Sequence, residues 1–256
     1  MLKVNDYNER EVLSPKEFFN AAGISGLTKE VSHIRKYILT FKYMKAFLSR
    51  CEFHNMRQIQ WYNNLNLFNL NGEDIGLLVS PTGAPAITTS LEELIAFGGK
   101  YFILVGGVGV LDEKIKRGDV IIPLSAIRDE GVSYHYIPEN IPSKPSNFLR
   151  NLIDEECRSK NIPFFEGLTW TTDAPYRETP SRIRYAKNKG AISVEMEASA
   201  CFAVAQFRKV ELAAIFYGGD LVREAGWNFR KGDLEKSNKA QEVLFDVIRS
   251  IFSHLD

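Results

Sequence analysis

Short apolar runs recur along this chain at Tyr37–Phe41, Ile75–Val79, Tyr101–Val105, Val120–Leu124 and Leu212–Tyr217. Each is strand length and rich in β-branched, aromatic or leucine side chains, so each reads as a buried strand. Helix-length segments fall between them: 43–51, about 88–97, 147–160 and a last one from about 234 to 252. Strands alternating with helices imply α/β layering. Asn71-Gly72 is a turn signal between two strand-like stretches, Trp61–Leu70 and Ile75–Val79, and predicts a hairpin. Ser14 followed by Pro15 predicts a capped helix start within an otherwise polar, mixed segment.

The stretch Ile192–Ala205 changes character part-way. It begins as a β-branched run and continues as a small-residue helical pattern, which places Glu195 and Glu197 at a strand-to-helix junction. An i, i+2 pair at a strand end points to one side of the sheet. An acid in the first helical turn also feels the helix's positive end. Such a carboxylate either caps the helix or accepts two hydrogen bonds from a vicinal diol, such as the 2′ and 3′ hydroxyls of a ribose.

Charge narrows the partner. The 32 basic and 32 acidic side chains cancel, which leaves no field to draw nucleic acid or an anionic membrane. The expected ligand is small. Cys51, Cys157 and Cys201 are odd in number and far apart, which argues against a disulfide framework. Neither they nor the four histidines have metal-ligand spacing. The first residues lack the apolar core of a signal peptide, and no run approaches membrane-spanning length, so the expected location is the cytoplasm.

Ligand sites in α/β sheets gather at strand ends that carry glycine and polar loops. Tyr101–Val105 is expected to end in a loop at Gly106-Gly-Val-Gly109, part of a dinucleotide fingerprint with its third glycine missing. The strand Leu212–Tyr217 is expected to run into the loop Gly218-Gly-Asp220. Asp220 there is either a turn aspartate or a partly desolvated acid able to share a proton with a leaving group. The loop 128–136 is dense in hydrogen-bonding side chains. Gly167–Thr172 is strand-like and leads into a polar segment, 173–184. In it Arg177, Glu178 and Arg182 read as a solvated charge run, unless Arg177 and Glu178 read a base edge; Trp170 and Tyr176 either pack or stack on a base.

Together these segments resemble the nucleoside phosphorylase family, which comprises purine nucleoside and uridine phosphorylases with related methylthioadenosine/adenosylhomocysteine nucleosidases. The most specific block is Val194-Glu-Met-Glu-Ala-Ser-Ala200, similar to that family's ribose-binding segment. Glu92–Leu94, Phe102–Gly109, Gly118–Pro123 and Ser125–Tyr136 follow the family's order and spacing. The resemblance implies a single α/β domain over residues 1–256, with a mixed, curled central sheet flanked by helices and residues 1–35 as a peripheral segment. It further implies a homodimer or hexamer and cleavage of a nucleoside's N-glycosidic bond in base salvage. Phosphorolysis to free base and ribose 1-phosphate is the first expectation. Phosphate-independent hydrolysis and nucleoside binding without catalysis stay open. No metal or organic cofactor is implied; phosphate would be a co-substrate.

By the same resemblance, Glu197 grips both ribose hydroxyls, Met196 packs on the sugar, Glu195 supports it, and Asp220 protonates the departing base. The family's phosphate-binding arginine falls on Leu104, and its small hydroxyl residue on Gly107. Its phosphate loop falls on Phe41–Lys45, which keeps only the cation Lys45, and an arginine given across the dimer corresponds to Arg57. Its purine-stacking aromatic falls on Pro175, so Tyr176 or Trp170 is expected to cover the base, with Arg177 and Glu178 at its edge.

Overall fold

The structure, a computed structural model, describes residues 6–24, 26, 30–59 and 65–255. The apolar runs become β1 (Lys36–Phe41), β4 (Glu73–Ser80), β5 (Tyr101–Val110), β6 (Val120–Asp129) and β9 (Glu211–Arg223). They are joined by β2 (Arg57–Ile59), β3 (Leu65–Leu70), β7 (Phe164–Thr172), β8 (Ala191–Glu195) and β10 (Gly226–Asn228). Among the described residues these form one mixed sheet in the order β10-β9-β6-β7-β8-β5-β1-β4-β3-β2. The Asn71-Gly72 turn joins β3 to β4 as an antiparallel hairpin, with both turn residues at positive φ. Trp61, at the start of the aromatic stretch before β3, lies outside the described residues.

The sheet curls until it closes on itself. β5 pairs with β9 in parallel as well as with β1 and β8. β9 pairs with β6, β6 with β7, and β7 with β8. The ring β5-β9-β6-β7-β8 therefore has no free edge. Register shifts at Val108/Val110, Pro123/Ser125 and Leu168/Thr169 supply the local bending that closure requires.

Helices cover both faces because successive strand residues point to opposite sides. Leu39 and Leu104 enter the core beneath α3 (Ala84–Phe97) and α6 (Ala198–Arg208). Ile38 and Ile103 enter the core beneath α2 (Lys45–Glu52), α4 (Asn147–Ser159) and α7 (Leu234–His254). A smaller cluster joins Trp170, Val194 and Val222 to Ile183 and Ala186 of α5 (Pro180–Asn188). The helix α1 (Pro15–Ala21) starts at Ser14 with a full capping box and lays Phe19 on Phe97. Among the described residues no helix is long and apolar enough to cross a membrane.

Several boundaries differ from the sequence expectation. β5 and β9 run straight through Gly106–Gly109 and Gly218–Asp220, where loops were expected. Glycine lowers strand propensity, but here it permits close approach: a Cβ at Gly218 would lie 2.7 Å from the Lys116 carbonyl oxygen. β6 extends to Asp129, so the expected 128–136 loop begins at Glu130 and holds a short 3-10 turn at Ser133–His135. The polar segment 173–184 contains the start of α5, whose apolar stripe is too sparse to show in sequence. α3 begins at Ala84, before the expected Thr88, because Pro85 sits comfortably in a first helical turn.

One consequence of register fixes the site. At the C-terminal end of β5, Gly109 pairs with Val194 of β8 and Val110 with Leu221 of β9. The Glu195–Glu197 junction and Asp220 are thus brought to opposite sides of one strand end.

Candidate active site

The two glutamates of the β8–α6 junction have different fates. Glu195 turns inward: its Oε2 accepts the backbone N–H groups of Glu197 at 2.7 Å and Ala198 at 2.6 Å. Its Oε1 accepts the hydroxyls of Thr171 at 2.5 Å and Thr169 at 3.3 Å, both from the adjacent strand β7. Burial pushes this carboxyl above the usual range, and the four hydrogen bonds oppose that shift. Any support Glu195 gives the sugar is therefore indirect, through the Glu197 backbone that it fixes. Its bonding capacity is spent on capping α6, where the first N–H groups lack helical partners.

Glu197 sits beside it, 5% exposed, and among the described residues no side-chain donor reaches it. Its Oε1 accepts the N–H of Gly83 at 2.6 Å. Gly83 precedes α3 with φ +111°, a conformation that favours glycine, so the 80–83 connection can turn its N–H toward the carboxylate. Burial, then the charge of Glu195, raises Glu197 to about 8. Met196, half-buried, lies between the two glutamates in sequence.

Next to this acid stand two phenols, Tyr43 and Tyr217. The hydroxyl of Tyr43 donates to the Gly107 carbonyl at 3.3 Å and accepts the Gly107 N–H at 3.2 Å. A Cβ on Gly107 would lie 2.6 Å from the Tyr217 ring. Tyr217 in turn accepts from Gln241, whose side-chain oxygen takes the N–H groups of Ala46 and Phe47 at the start of α2. Burial raises the Tyr43 hydroxyl, and the charges of Glu197, Tyr217 and Glu195 push it the same way. Leu104 is in the hydrophobic core.

The expected phosphate ligands lie elsewhere. Lys45 is exposed at the first residue of α2. Arg57 stands on the edge strand β2, at the far end of the sheet order from β9 and β10. Its guanidinium is engaged by Glu30 at 3.1 Å and Asp74 at 3.0 Å. Within its own chain it therefore serves an ion-pair cluster; the expectation places it in a neighbouring subunit's site. Gly107 keeps its place beside Tyr43, but as a close-packing position rather than an open one.

At the base end Asp220 belongs to β9, and its carboxylate accepts the indole N–H of Trp227 from β10. Asp220 and Trp227 line a cavity of about 590 Å³ with Glu178, Tyr176, Ile183 and Val222. Glu197 does not line it; the electrostatic link runs through Tyr43 and Tyr217, the latter in range of Asp220. Tyr176 is 99% exposed on the mouth of this cavity. Glu178 is half-buried, and burial followed by the Asp220 charge raises it to about 7. Arg177 is exposed and does not line the cavity. Trp170 is corrected to a packing residue: it is 2% exposed, and its indole N–H donates to Asp129 at 3.0 Å. Arg182 pairs with the same Asp129 at 2.7 Å.

A sequence model of the phosphorylase superfamily matches residues 51–253. The chain belongs to this superfamily. It is 28% identical to the uridine phosphorylase of Haemophilus influenzae over 123 residues, 48% of each chain. It is 27% identical to the purine nucleoside phosphorylase of Plasmodium falciparum over 158 residues, 60% of this chain and 63% of that one. The aligned stretches thus span about half to two thirds of these relatives. In fold, the chain is similar to the crystal structure of uridine phosphorylase from Vibrio fischeri, with a TM-score of 0.73 and 22% identity over 84% of this chain and 90% of that one. It is also similar to purine nucleoside phosphorylase from Toxoplasma gondii in complex with immucillin-H, with a TM-score of 0.71 and 18% identity over 86% and 92%.

Several residues of this superfamily member's site escape a sequence reading. Gly83 carried a signal only as a glycine between a strand and a proline-containing helix start. Thr169 and Thr171 alternate along β7, which suits one face, but only the β7–β8 register shows that Glu195 is that face's neighbour. Trp227 carried none, because β10 is three residues long and its pairing is tertiary. Among the described residues no cluster of three His, Cys, Asp or Glu side chains could hold a metal ion.

Proposed function

We propose that this chain cleaves the N-glycosidic bond of a nucleoside. Glu197 carries the reading: a buried carboxyl, held by backbone N–H groups and met by no side-chain donor among the described residues, is built to accept hydroxyls that arrive with a ligand. A ribose diol supplies two such donors and compensates the carboxylate for its lost hydration. The reaction breaks the C1′–N bond with its electron pair leaving on the base, so positive charge grows on the sugar and negative charge on the base. Glu197, releasing its proton to solvent as the diol's hydroxyls bind it, favours the first as a carboxylate, and a carboxyl proton in the Asp220 cavity favours the second.

The names of the relatives support phosphate as the acceptor, giving free base and ribose 1-phosphate in a salvage-type reaction. That reading needs cations from outside this site, for instance Arg57 of a second copy in a dimer or hexamer. A second reading has water as acceptor. Tyr43, Tyr217 and Gly107 favour it, since a phosphate dianion beside Glu197 would meet phenols and a leucine instead of a guanidinium. Neither reading calls for a metal or organic cofactor.

The test is a panel of purine and pyrimidine nucleosides incubated with and without phosphate, with free base measured. Release that requires phosphate supports phosphorolysis, and release without it supports hydrolysis. Nucleoside binding with no release overturns catalysis and leaves a binding protein.

A further inference from the structure

α2 begins at Lys45, just past the carboxyl end of β1, which runs parallel to β5 as β5 does to β9. Tyr43, in the short connection between β1 and α2, lies within electrostatic range of Glu197. A helix start at this edge of a parallel sheet is a ready phosphate site, because its first N–H groups have no partner within the helix.

In this chain those groups are taken. The Lys45 N–H donates to the Tyr43 carbonyl at 2.9 Å. Those of Ala46 and Phe47, at 3.0 and 3.3 Å, both donate to the side-chain oxygen of Gln241, which arrives from α7 and is 3% exposed. The Gln241 amide nitrogen donates in turn to the Tyr217 hydroxyl at 3.3 Å. Tyr217 pairs with Gly107 across β9 and β5, and the Gly107 N–H is itself taken by the Tyr43 hydroxyl at 3.2 Å. Each N–H group named here thus has a protein acceptor. Lys42 and Lys45 are exposed, and an exposed ammonium alone holds an anion weakly.

We infer that Gln241 closes this helix start to phosphate, so that the acceptor in nucleoside cleavage is water. This rests on the nucleoside-cleavage reading and decides between its two acceptors. The Gln241 oxygen does what a phosphate oxygen does at an open helix start: it accepts adjacent N–H groups. Water needs fewer donors than a phosphate dianion and brings no negative charge toward Glu197. As the C1′–N bond breaks, its electron pair goes to the base and a water oxygen bonds to C1′. That oxygen passes a proton to solvent. The base gains one from the carboxyl of the Asp220 cavity, which solvent recharges, and free base and ribose leave. Gln241 is buried and acts through α2 and Tyr217, so it is a positioning residue.

The experiment follows inosine and uridine cleavage with and without phosphate at constant ionic strength, for the wild-type chain, Gln241→Ala and Gln241→Glu. Ribose and ribose 1-phosphate are separated, and binding of inorganic phosphate is read by equilibrium dialysis. The wild type should release base at one rate in both conditions and yield ribose alone. Gln241→Ala frees two N–H groups, so it should bind phosphate about tenfold more tightly than the wild type and form ribose 1-phosphate. Gln241→Glu keeps the accepting oxygen and should stay closed, a difference that general loosening of the fold would not produce. The inference is overturned if the wild type makes ribose 1-phosphate, or if Gln241→Ala folds and binds phosphate no better than the wild type. Should Gln241→Ala not fold, the wild-type products and phosphate binding decide. A wild type that cleaves neither nucleoside removes the parent reading, while the dialysis still tests the closure; the two failures are thus distinguishable.

Discussion

Glu195 accepts the backbone N–H of Glu197, so the first glutamate of the motif holds the second in place. Glu195→Gln offers one acceptor oxygen where two are used and presents an NH2 group to backbone N–H donors. We expect a loss of about 1–3 kcal/mol in unfolding free energy. Chemical denaturation at pH 7 checks this. Unchanged stability would mean the cap contributes little.

Glu197 should make the empty chain less stable as pH rises. Its unfolded-state value is 4.5 and its folded value about 8. Between them the folded chain holds a proton the unfolded chain has lost, so stability falls with rising pH, by up to ~1.4 kcal/mol per pH unit from this group. Below pH 4.5 both states are protonated and the effect is absent. Glu195 and Glu178 shift in the same direction, so the informative quantity is a difference. Glu197→Gln should flatten the slope of unfolding free energy against pH while lowering nucleoside turnover about 10²–10³-fold. Parallel slopes for the two proteins would contradict the burial effect.

Asp220→Asn removes the carboxyl proposed to give the departing base its proton. Release of free base from inosine should slow about 10²-fold, read as kcat at pH 7. An unchanged rate would remove Asp220 from the reaction.

Gly107→Ser, which restores the small hydroxyl residue expected from the family, should be destabilising here. The added Cβ would meet the Tyr217 ring at 2.6 Å, and overpacking of this kind costs about 1–3 kcal/mol. Combining it with Tyr217→Ala should cost less than the sum of the single changes, read by a double-mutant cycle of unfolding free energies. Additive losses would show the two positions do not touch.

Gly83→Ala places a Cβ in open space but on a backbone at φ +111°, so its cost is conformational, about 1–2 kcal/mol. Because Gly83 also donates to Glu197, KM for the nucleoside should rise more than kcat falls. An effect on stability alone would separate Gly83 from the site.

The sequence by itself determined the α/β class, the strand-to-helix junction at Glu195 and Glu197, the capped start at Ser14 and the hairpin at Asn71-Gly72. These are local: β-branched runs, capping residues and turn dipeptides act within a few positions, and their physics is written in neighbouring side chains. It could not decide which glutamate caps and which is left for a ligand, because that depends on Thr169 and Thr171 arriving from β7 and Gly83 from the start of α3. Nor could it show that β5 and β9 run unbroken through their glycines. Strand continuity there comes from pairing across the closed ring, which overrides local propensity. The same closure sets Glu178 against Asp220, and the β1–β5 pairing sets Tyr43 against Gly107, pairs separated by 42 and 64 positions in the chain. Contacts of that range exist only once the strands have paired, since their geometry is fixed by strand register rather than by any residue's own preference.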